Sequence, residues 1–167
     1  MAPQLSPQSV SFPATTDPRT LIAAPAVLRA GLAIVFIAHG AQKLFGWLGG
    51  GGITGTGDYF ASLGAHPGAL WAVTAGLVEF GGGAAVAVGL LTRPTAALLA
   101  VDMFLAIILT NWENGFFAEK ASGGWEINLV LICMAASLVC TGAGRFSVDR
   151  CIGARLAPGA RAAAAFR

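Results

Sequence analysis

The chain has 167 residues, 56% of them hydrophobic and 11% charged, with a formal net charge of +2. Soluble domains carry roughly a quarter charged residues, so this composition excludes an ordinary water-soluble enzyme and points to a single membrane domain. The small net charge gives no reason to expect nucleic acid as a partner, and three cysteines without a CxxC spacing (Cys133, Cys140, Cys151) exclude a disulfide framework and a zinc site.

Residues 1–20 are rich in Pro, Ser, Thr and Gln and have no hydrophobic periodicity. They are expected to form a disordered tail. The tail lacks the basic n-region of a cleaved signal, so the first apolar segment is expected to serve as an uncleaved anchor.

Four apolar segments follow, at about 21–45, 69–91, 95–112 and 125–141. Each has about the length needed to cross a bilayer as a helix, the third being at the short end. Backbone groups in lipid must be satisfied within the segment, so helices are the expected form. The predicted architecture is all-α: a four-transmembrane-helix bundle over 21–145, followed by a basic cytoplasmic tail over 146–167. Thr92-Arg93-Pro94 is expected to make the second and third helices a tight hairpin, with Pro94 in a first helical turn where its missing N–H costs nothing.

The charges orient this bundle. Arg93 and the C-terminal arginines Arg145, Arg150, Arg155, Arg161 and Arg167 lie at one end, whereas the other loops hold Asp58, Glu113, Glu119 and Lys120. By the positive-inside bias both termini and the Arg93 turn are cytoplasmic, and Trp47, Trp71, Trp112 and Trp125 form an aromatic belt at the outer boundary. Within the outer loop 46–68, Thr56 is expected to cap a short interfacial helix carrying Tyr59, Phe60 and Leu63, with Gly64 ending it. The glycine run at 50–55 matches a dinucleotide fingerprint by letter but follows a membrane helix rather than a strand, which removes that reading. Gly81, Ala85 and Gly89, four apart, suggest a face for close helix packing, with Gly82 and Gly83 offering room for a flat ligand.

Six ionisable side chains fall in or at the edges of the apolar segments: Arg29, His39, Lys43, Glu79, Asp102 and Glu126. A charge at the bilayer centre costs several kcal/mol, about 2.5–3.5 by insertion scales, so such residues face the bundle interior and pair there. A rise of about 1.5 Å per residue sets their depths. Depth matching pairs Arg29 with Asp102 as a structural ion pair in the inner half. It gathers His39, Lys43, Glu79 and Glu126 in the outer half as candidate ligand-binding residues, with Asn128 extending the set. His39 and Lys43, four apart, share a helix face. His39 and His66 are too scattered to argue for haem, and no spacing supports a metal site. Histidine, lysine and glutamate together can hold quinone carbonyls or relay protons.

The run Arg29-Ala-Gly31 with Ile37-Ala-His39-Gly40-Ala-Gln-Lys43-Leu44 resembles the opening helix of the DoxX family. Tyr59-Phe60-Ala-Ser-Leu63-Gly64 with Pro67, Glu79-Phe-Gly81-Gly82, Gly89-Leu-Leu-Thr92-Arg93, Gly115-Phe116, Glu126 and Gly142-Ala-Gly144-Arg145-Phe-Ser147-Val-Asp149 are similar, in order, to the rest of its pattern over about 25–150. The resemblance implies a multi-pass protein of the bacterial inner membrane. It also implies association with membrane oxidoreductase systems, since relatives include a subunit of a thiosulfate:quinone oxidoreductase and a member of a thiol and oxidative-stress complex. Lys43, Glu79 and Glu126 fall on the family's recurring polar positions. The functional expectation is a membrane subunit of an oxidoreductase system, with no intrinsic cofactor and with quinone as the ligand of the outer site. The expected partners are membrane lipids and either a second protein or another copy of the chain. The alternative is a non-enzymatic anchor or accessory subunit of a larger complex. A carrier ranks below both, because no inverted repeat or broken helix is evident.

Overall fold

The computed structural model describes residues 18–117 and 123–156, and all regular structure in them is helical. The expected disordered tail over 1–20 lies outside the described residues as far as 17, but 18–20 already belong to the first helix; the end of the C-terminal segment beyond 156 is likewise outside the described residues. The elements are α1 (Pro18–Phe45), α2 (Gly52–Ser62), α3 (Gly68–Val88), α4 (Thr92–Ala106), α5 (Glu126–Thr141) and α6 (Val148–Leu156), with a π-helical turn over Ile107–Asn111 prolonging α4. Three helical stretches, Ala23–Phe45, Gly68–Val88 and Thr92–Asn114, are long and apolar enough to cross a membrane by length and composition. α5, with 16 residues, is the shorter apolar helix.

α1 packs most extensively on α3, and α4 on α5. Contacts between α3 and α4 and between α1 and α5 close a four-helix ring, in which α1 and α4 stand on opposite corners. Leu32 and Phe36 of α1, Val86 of α3, Leu99 and Met103 of α4, and Leu131, Ala135 and Leu138 of α5 form the shared core. The ring has two chemically different ends. The tryptophans gather at one, where the rings of Trp112 and Trp125 stack at 6.1 Å and Phe45 meets Trp47 at 5.0 Å. The α3–α4 turn and α6 lie at the other.

Small residues do bring α1 and α3 together, but not on the expected stripe. A Cβ at Gly40 would run into the Phe80 backbone, and one at Gly83 would meet Ile37 and Phe36. Gly81 has open space around it, so it is no packing position. Buried positions on α3 are Gly68, Ala72, Gly76, Glu79, Gly83 and Val86, the three–four spacing of a single helix face. Gly81 falls off that face, and the space at Gly82 and Gly83 is filled by Leu99, Ile37 and Phe36 rather than left for a ligand.

The hairpin turn also sits three residues earlier than its sequence suggests. α3 ends at Val88 because Gly89 adopts φ 69°, a left-handed conformation that glycine enters without a Cβ penalty. Leu91 follows in the same region at φ 46°. A branched residue there costs about 1–3 kcal/mol unless its surroundings hold it. Asp149 of α6 does so, its Oδ1 accepting the Leu91 N–H at 2.6 Å and its Oδ2 the Thr92 N–H at 2.9 Å. The Asp149 N–H in turn donates to the Gly89 carbonyl at 2.9 Å. A carboxylate from a distant segment thus caps α4, where free amides and the helix dipole favour negative charge.

The segment from 146 is therefore not only a basic tail, since its first part is a docked helix. Partial burial pushes the Asp149 carboxyl up, but the Thr92 and Leu91 donors, with Arg29 nearby, outweigh that and hold it below the ordinary carboxylate range. A folded-state pKa below the unfolded one gives stability that is present above the unfolded value of about 3.9 and is lost as pH falls through the folded value. Asp149→Ala is expected to cost about 1 kcal/mol at neutral pH. It should also remove this component of acid sensitivity, as read by thermal unfolding in detergent between neutral pH and pH 3.

Candidate functional site

Two polar constellations lie inside the ring, one at each end. At the turn end, buried Arg29 donates from Nε to the Val86 carbonyl at 2.8 Å and from Nη2 to Ala87 at 2.6 Å. From Nη1 it donates to Ala143 at 2.9 Å and to Phe146. Val86 and Ala87 belong to the last turn of α3, whose carbonyls have no partner within the helix and carry the negative end of its dipole. Arg29 satisfies them while tying the α5–α6 connection to the same point. Gly89 and Ser147 crowd its guanidinium, and a Cβ on Gly89 would collide with both. The expected Arg29–Asp102 ion pair is not formed. Depth along the axis matched them, but α1 and α4 stand on opposite corners and Arg29 is taken up by carbonyls. The residues 142–149 owe their pattern to this knot. Gly142 (φ 77°) stops α5, Ala143 and Phe146 present their carbonyls, and the Ser147 hydroxyl accepts the Arg150 N–H in the first turn of α6.

At the tryptophan end lies a cavity of about 700 Å³. Lys43, in the last turn of α1, reaches Glu79 of α3, with Nζ at 2.7 Å from Oε1 and 2.6 Å from Oε2. Glu79 is buried and both its oxygens are engaged, which satisfies the charge the bilayer would otherwise penalise. His39, one turn before Lys43, lines the more open part of the cavity, and Asp102 lines it from α4. Asp102 Oδ2 is fully shielded and has no hydrogen-bond partner among the described residues. The π turn shapes the next part of the wall. The Thr110 hydroxyl donates to the Ala106 carbonyl at 2.6 Å, and Asn111 Nδ2 donates to Asn128 Oδ1 at 3.0 Å. π turns displace a side chain from its α-helical register and frequently mark functional sites. Here Asn111, Asn128 and Thr110 all face the cavity.

α2 covers this space with Thr56, Tyr59 and Phe60, and Trp71 of α3 adds a further aromatic wall. α2 starts after Gly51, so Thr56 lies inside the helix and faces the cavity instead of capping it, while Gly64 (φ 84°) follows its end as expected. α3 and α4 touch near the turn, where Gly82 meets Leu99, and the cavity lies between their other halves. Val101, Leu105 and Leu109 of α4 and Trp71 of α3 line it and are all exposed, so the cavity is not sealed along these two helices.

Of the residues singled out from the sequence, His39, Lys43 and Glu79 share this cavity, whereas Glu126, in the first turn of α5, is not among the side chains lining it. Asp102 takes its place there. Asn111 went unnoticed in the sequence, although an asparagine ending an apolar span at the depth of Asn128 was a usable signal. Cys133, Cys140 and Cys151 are exposed and do not line the cavity, and His66 does not line it either. Among the described residues no three His, Cys, Asp or Glu side chains are grouped to hold a metal ion. The arrangement offers an aromatic, mostly apolar chamber with a neutralised ion pair, one carboxyl whose Oδ2 has no hydrogen-bond partner among the described residues, a histidine and an asparagine pair.

A family model described as DoxX matches residues 24–112, which include α1–α4 and the Lys43–Glu79 pair. The inner membrane protein YqjF of Escherichia coli (strain K12) is 33% identical over 124 residues, an alignment that takes in 74% of this chain and 88% of that protein. No solved structure matches the chain.

Proposed function

The chain belongs to the DoxX family and, from that premise, we propose that its cavity binds a quinone on behalf of a membrane oxidoreductase system. It is a multi-pass protein of the inner membrane. Its proposed topology has four spans, with both termini and the Arg93 turn cytoplasmic, because Arg93, Arg145, Arg150 and Arg155 gather at one end of the ring and the tryptophans at the other. In this topology the cavity occupies the outer half of the bundle.

The observation that carries the proposal is the cavity itself, about 700 Å³ around Lys43–Glu79 and Asp102 and not sealed along α3 and α4. Small-molecule sites typically measure about 300–1,000 Å³, with mostly apolar walls and a few convergent polar groups. A ligand dissolved in the bilayer enters from the side, and a flat ring fits between Phe36, Tyr59, Phe60 and Trp71. Lys43, His39 and Asn128 then supply donors at the ring's polar edge. Protein extracted gently into lipid nanodiscs is expected to carry menaquinone or ubiquinone in excess of the surrounding lipid, measured by solvent extraction and chromatography. Val101→Trp, which places a large side chain on the unsealed side, is expected to lower that content about tenfold, the cost of roughly 1.4 kcal/mol of binding. A wild-type protein with no more quinone than empty nanodiscs overturns the proposal.

A second reading, a non-enzymatic accessory subunit, is favoured by a mostly apolar groove of about 890 Å³ along α1, whose floor includes Ala26, Ala30, Ala33, Ala38 and Ala41 beside larger residues such as Ile34, Ile37, Trp47 and Phe146. Small side chains let a partner helix approach closely. Recovery of a stoichiometric partner from native membranes, together with a cavity empty of quinone, is the outcome that supports it.

A further inference from the structure

The turn end of the ring carries positive charge without a counterpart. Arg93, Arg145, Arg150 and Arg155 are all exposed there, and among the described residues none of them forms an ion pair. The acidic side chain described at that end, Asp149, is spent on the Leu91 and Thr92 amides. Arg93 donates to the Cys140 carbonyl in the last turn of α5 at 3.3 Å, which sets it beside the connection that carries Arg145. Large apolar side chains are exposed among these arginines. Phe146 is 74% exposed and Leu91 62%, and Val148 and Ile152, four apart on one face of α6, are exposed as well. The backbone that presents them is fixed. Arg29 holds the Phe146 carbonyl, Asp149 holds the Leu91 N–H, and the Ser147 hydroxyl accepts the Arg150 N–H.

Water penalises exposed phenylalanine and leucine, and the hydrocarbon of a bilayer penalises arginine. The headgroup layer accepts both at one level, because apolar side chains there reach acyl chains while cations meet phosphates. The helices place that layer at this end. α3 ends at Val88, α4 begins at Thr92 and α5 ends at Thr141, so α6, which begins at Val148, starts within a few residues of the membrane surface. Phe146 also lines the groove along α1 together with Ala26 and Ala30, which continues an apolar wall from the arginines toward the acyl region. We infer that the arginine end of the ring binds anionic phospholipid, with α6 in the headgroup layer, Phe146 and Ile152 against acyl chains, and Arg145, Arg150 and Arg155 on the phosphates. A zwitterionic headgroup has no net charge to offer, so the arginines select lipids of net negative charge such as phosphatidylglycerol. Each arginine near the surface contributes about fivefold in association. This surface is separate from the cavity, and its occupancy does not depend on what the cavity binds. α6 also holds the α3–α4 turn through Asp149, so lipid bound to it stabilises the whole ring, as any ligand of the folded state does.

The test uses full-length Phe146→Trp in phosphatidylcholine nanodiscs doped with equal small fractions of brominated phosphatidylglycerol or brominated phosphatidylcholine. Bromine quenches indoles in contact with it, and the wild type, whose 4 tryptophans stand at the other end, supplies the background to subtract. Quenching of the added indole by the brominated phosphatidylglycerol is expected to exceed that by the brominated phosphatidylcholine about fivefold or more. Sodium chloride at about 1 M, where the Debye length is about 3 Å, should reduce the preference to about twofold or less. Exchanging Arg145, Arg150 and Arg155 together for Gln should abolish it, and exchanging them for Lys should keep most of it. Thermal unfolding shows whether the variants are folded, and it should rise with phosphatidylglycerol for the wild type but not for the Gln variant. Equal quenching by the two lipids, or a preference that survives the salt or the Gln exchange in a folded protein, overturns the inference. A preference removed by millimolar inorganic phosphate but not by chloride of the same ionic strength assigns the arginines to a soluble phosphate and overturns it as well.

Discussion

Arg29→Met is expected to lower the stability of the fold by about 3 kcal/mol or more, since a hydrogen bond to a charged group contributes about 1.5–3 kcal/mol and several are lost together. The loss has two sources. The hydrogen bonds from the guanidinium to Val86, Ala87, Ala143 and Phe146 disappear, leaving the Val86 carbonyl with the Gly89 N–H and taking this charged donor from the other three. The damage is also not local, because Arg29 joins the end of α3 to the α5–α6 connection, and Asp149 of α6 in turn holds the α3–α4 turn through Leu91 and Thr92. Urea or thermal unfolding in detergent, with accumulation in the membrane as a second readout, measures the effect. Arg29→Lys should recover only part of the loss, since an ammonium cannot span the positions that the guanidinium fork reaches. A folded, normally accumulating Arg29→Met protein would show that the carbonyls find other donors.

The second large effect separates the site from the scaffold. Lys43→Met leaves Glu79 buried without its cation, and about 3–5 kcal/mol of stability should be lost. Lys43→Met combined with Glu79→Met removes both charges. Replacing a buried pair with apolar side chains of similar volume is often neutral or stabilising by about 1–4 kcal/mol, so the double variant should be close to the wild type or above it. Its quinone content should nevertheless fall to that of empty nanodiscs, because the polar edge of the cavity has gone with the pair. Unfolding midpoints and extracted quinone, measured on the single and double variants together, give the coupling and the function separately. A double variant that regains stability and keeps its quinone would place the ligand elsewhere.

Much of this protein was legible in the chain. Apolar runs of helical length, tryptophans confined to one end and arginines to the other follow from the cost of exposing backbone and charge to lipid, and they foretold an all-helical membrane protein with a short helix over one end. The matched motifs placed the family. The meeting of Lys43 with Glu79 was also readable, since both are charges at similar depth on sequential long helices that pack together. Helix rotation was not readable. Depth alone paired Arg29 with Asp102, and the ring puts their helices on opposite corners. The four-residue spacing of Gly81, Ala85 and Gly89 suggested a packing face, but the buried face runs through Gly76, Glu79 and Gly83. Glu126 had the right depth and still does not line the cavity.

What the sequence determined by itself is the set of local and one-dimensional properties, namely which segments are helical, which are apolar enough for a bilayer, and how deep each charge lies. These depend on neighbouring residues and on the rise of a helix. Tertiary structure decided the rest. It turned Asp102 from a supposed structural partner of Arg29 into a cavity carboxyl whose Oδ2 has no hydrogen-bond partner among the described residues. It gave Arg29 to carbonyls at the end of α3, and it brought Asp149 across from the far end of the chain to cap α4. Each of these depends on the azimuth of a helix about its own axis and on which helices become neighbours, and both are set by the packing of the whole ring.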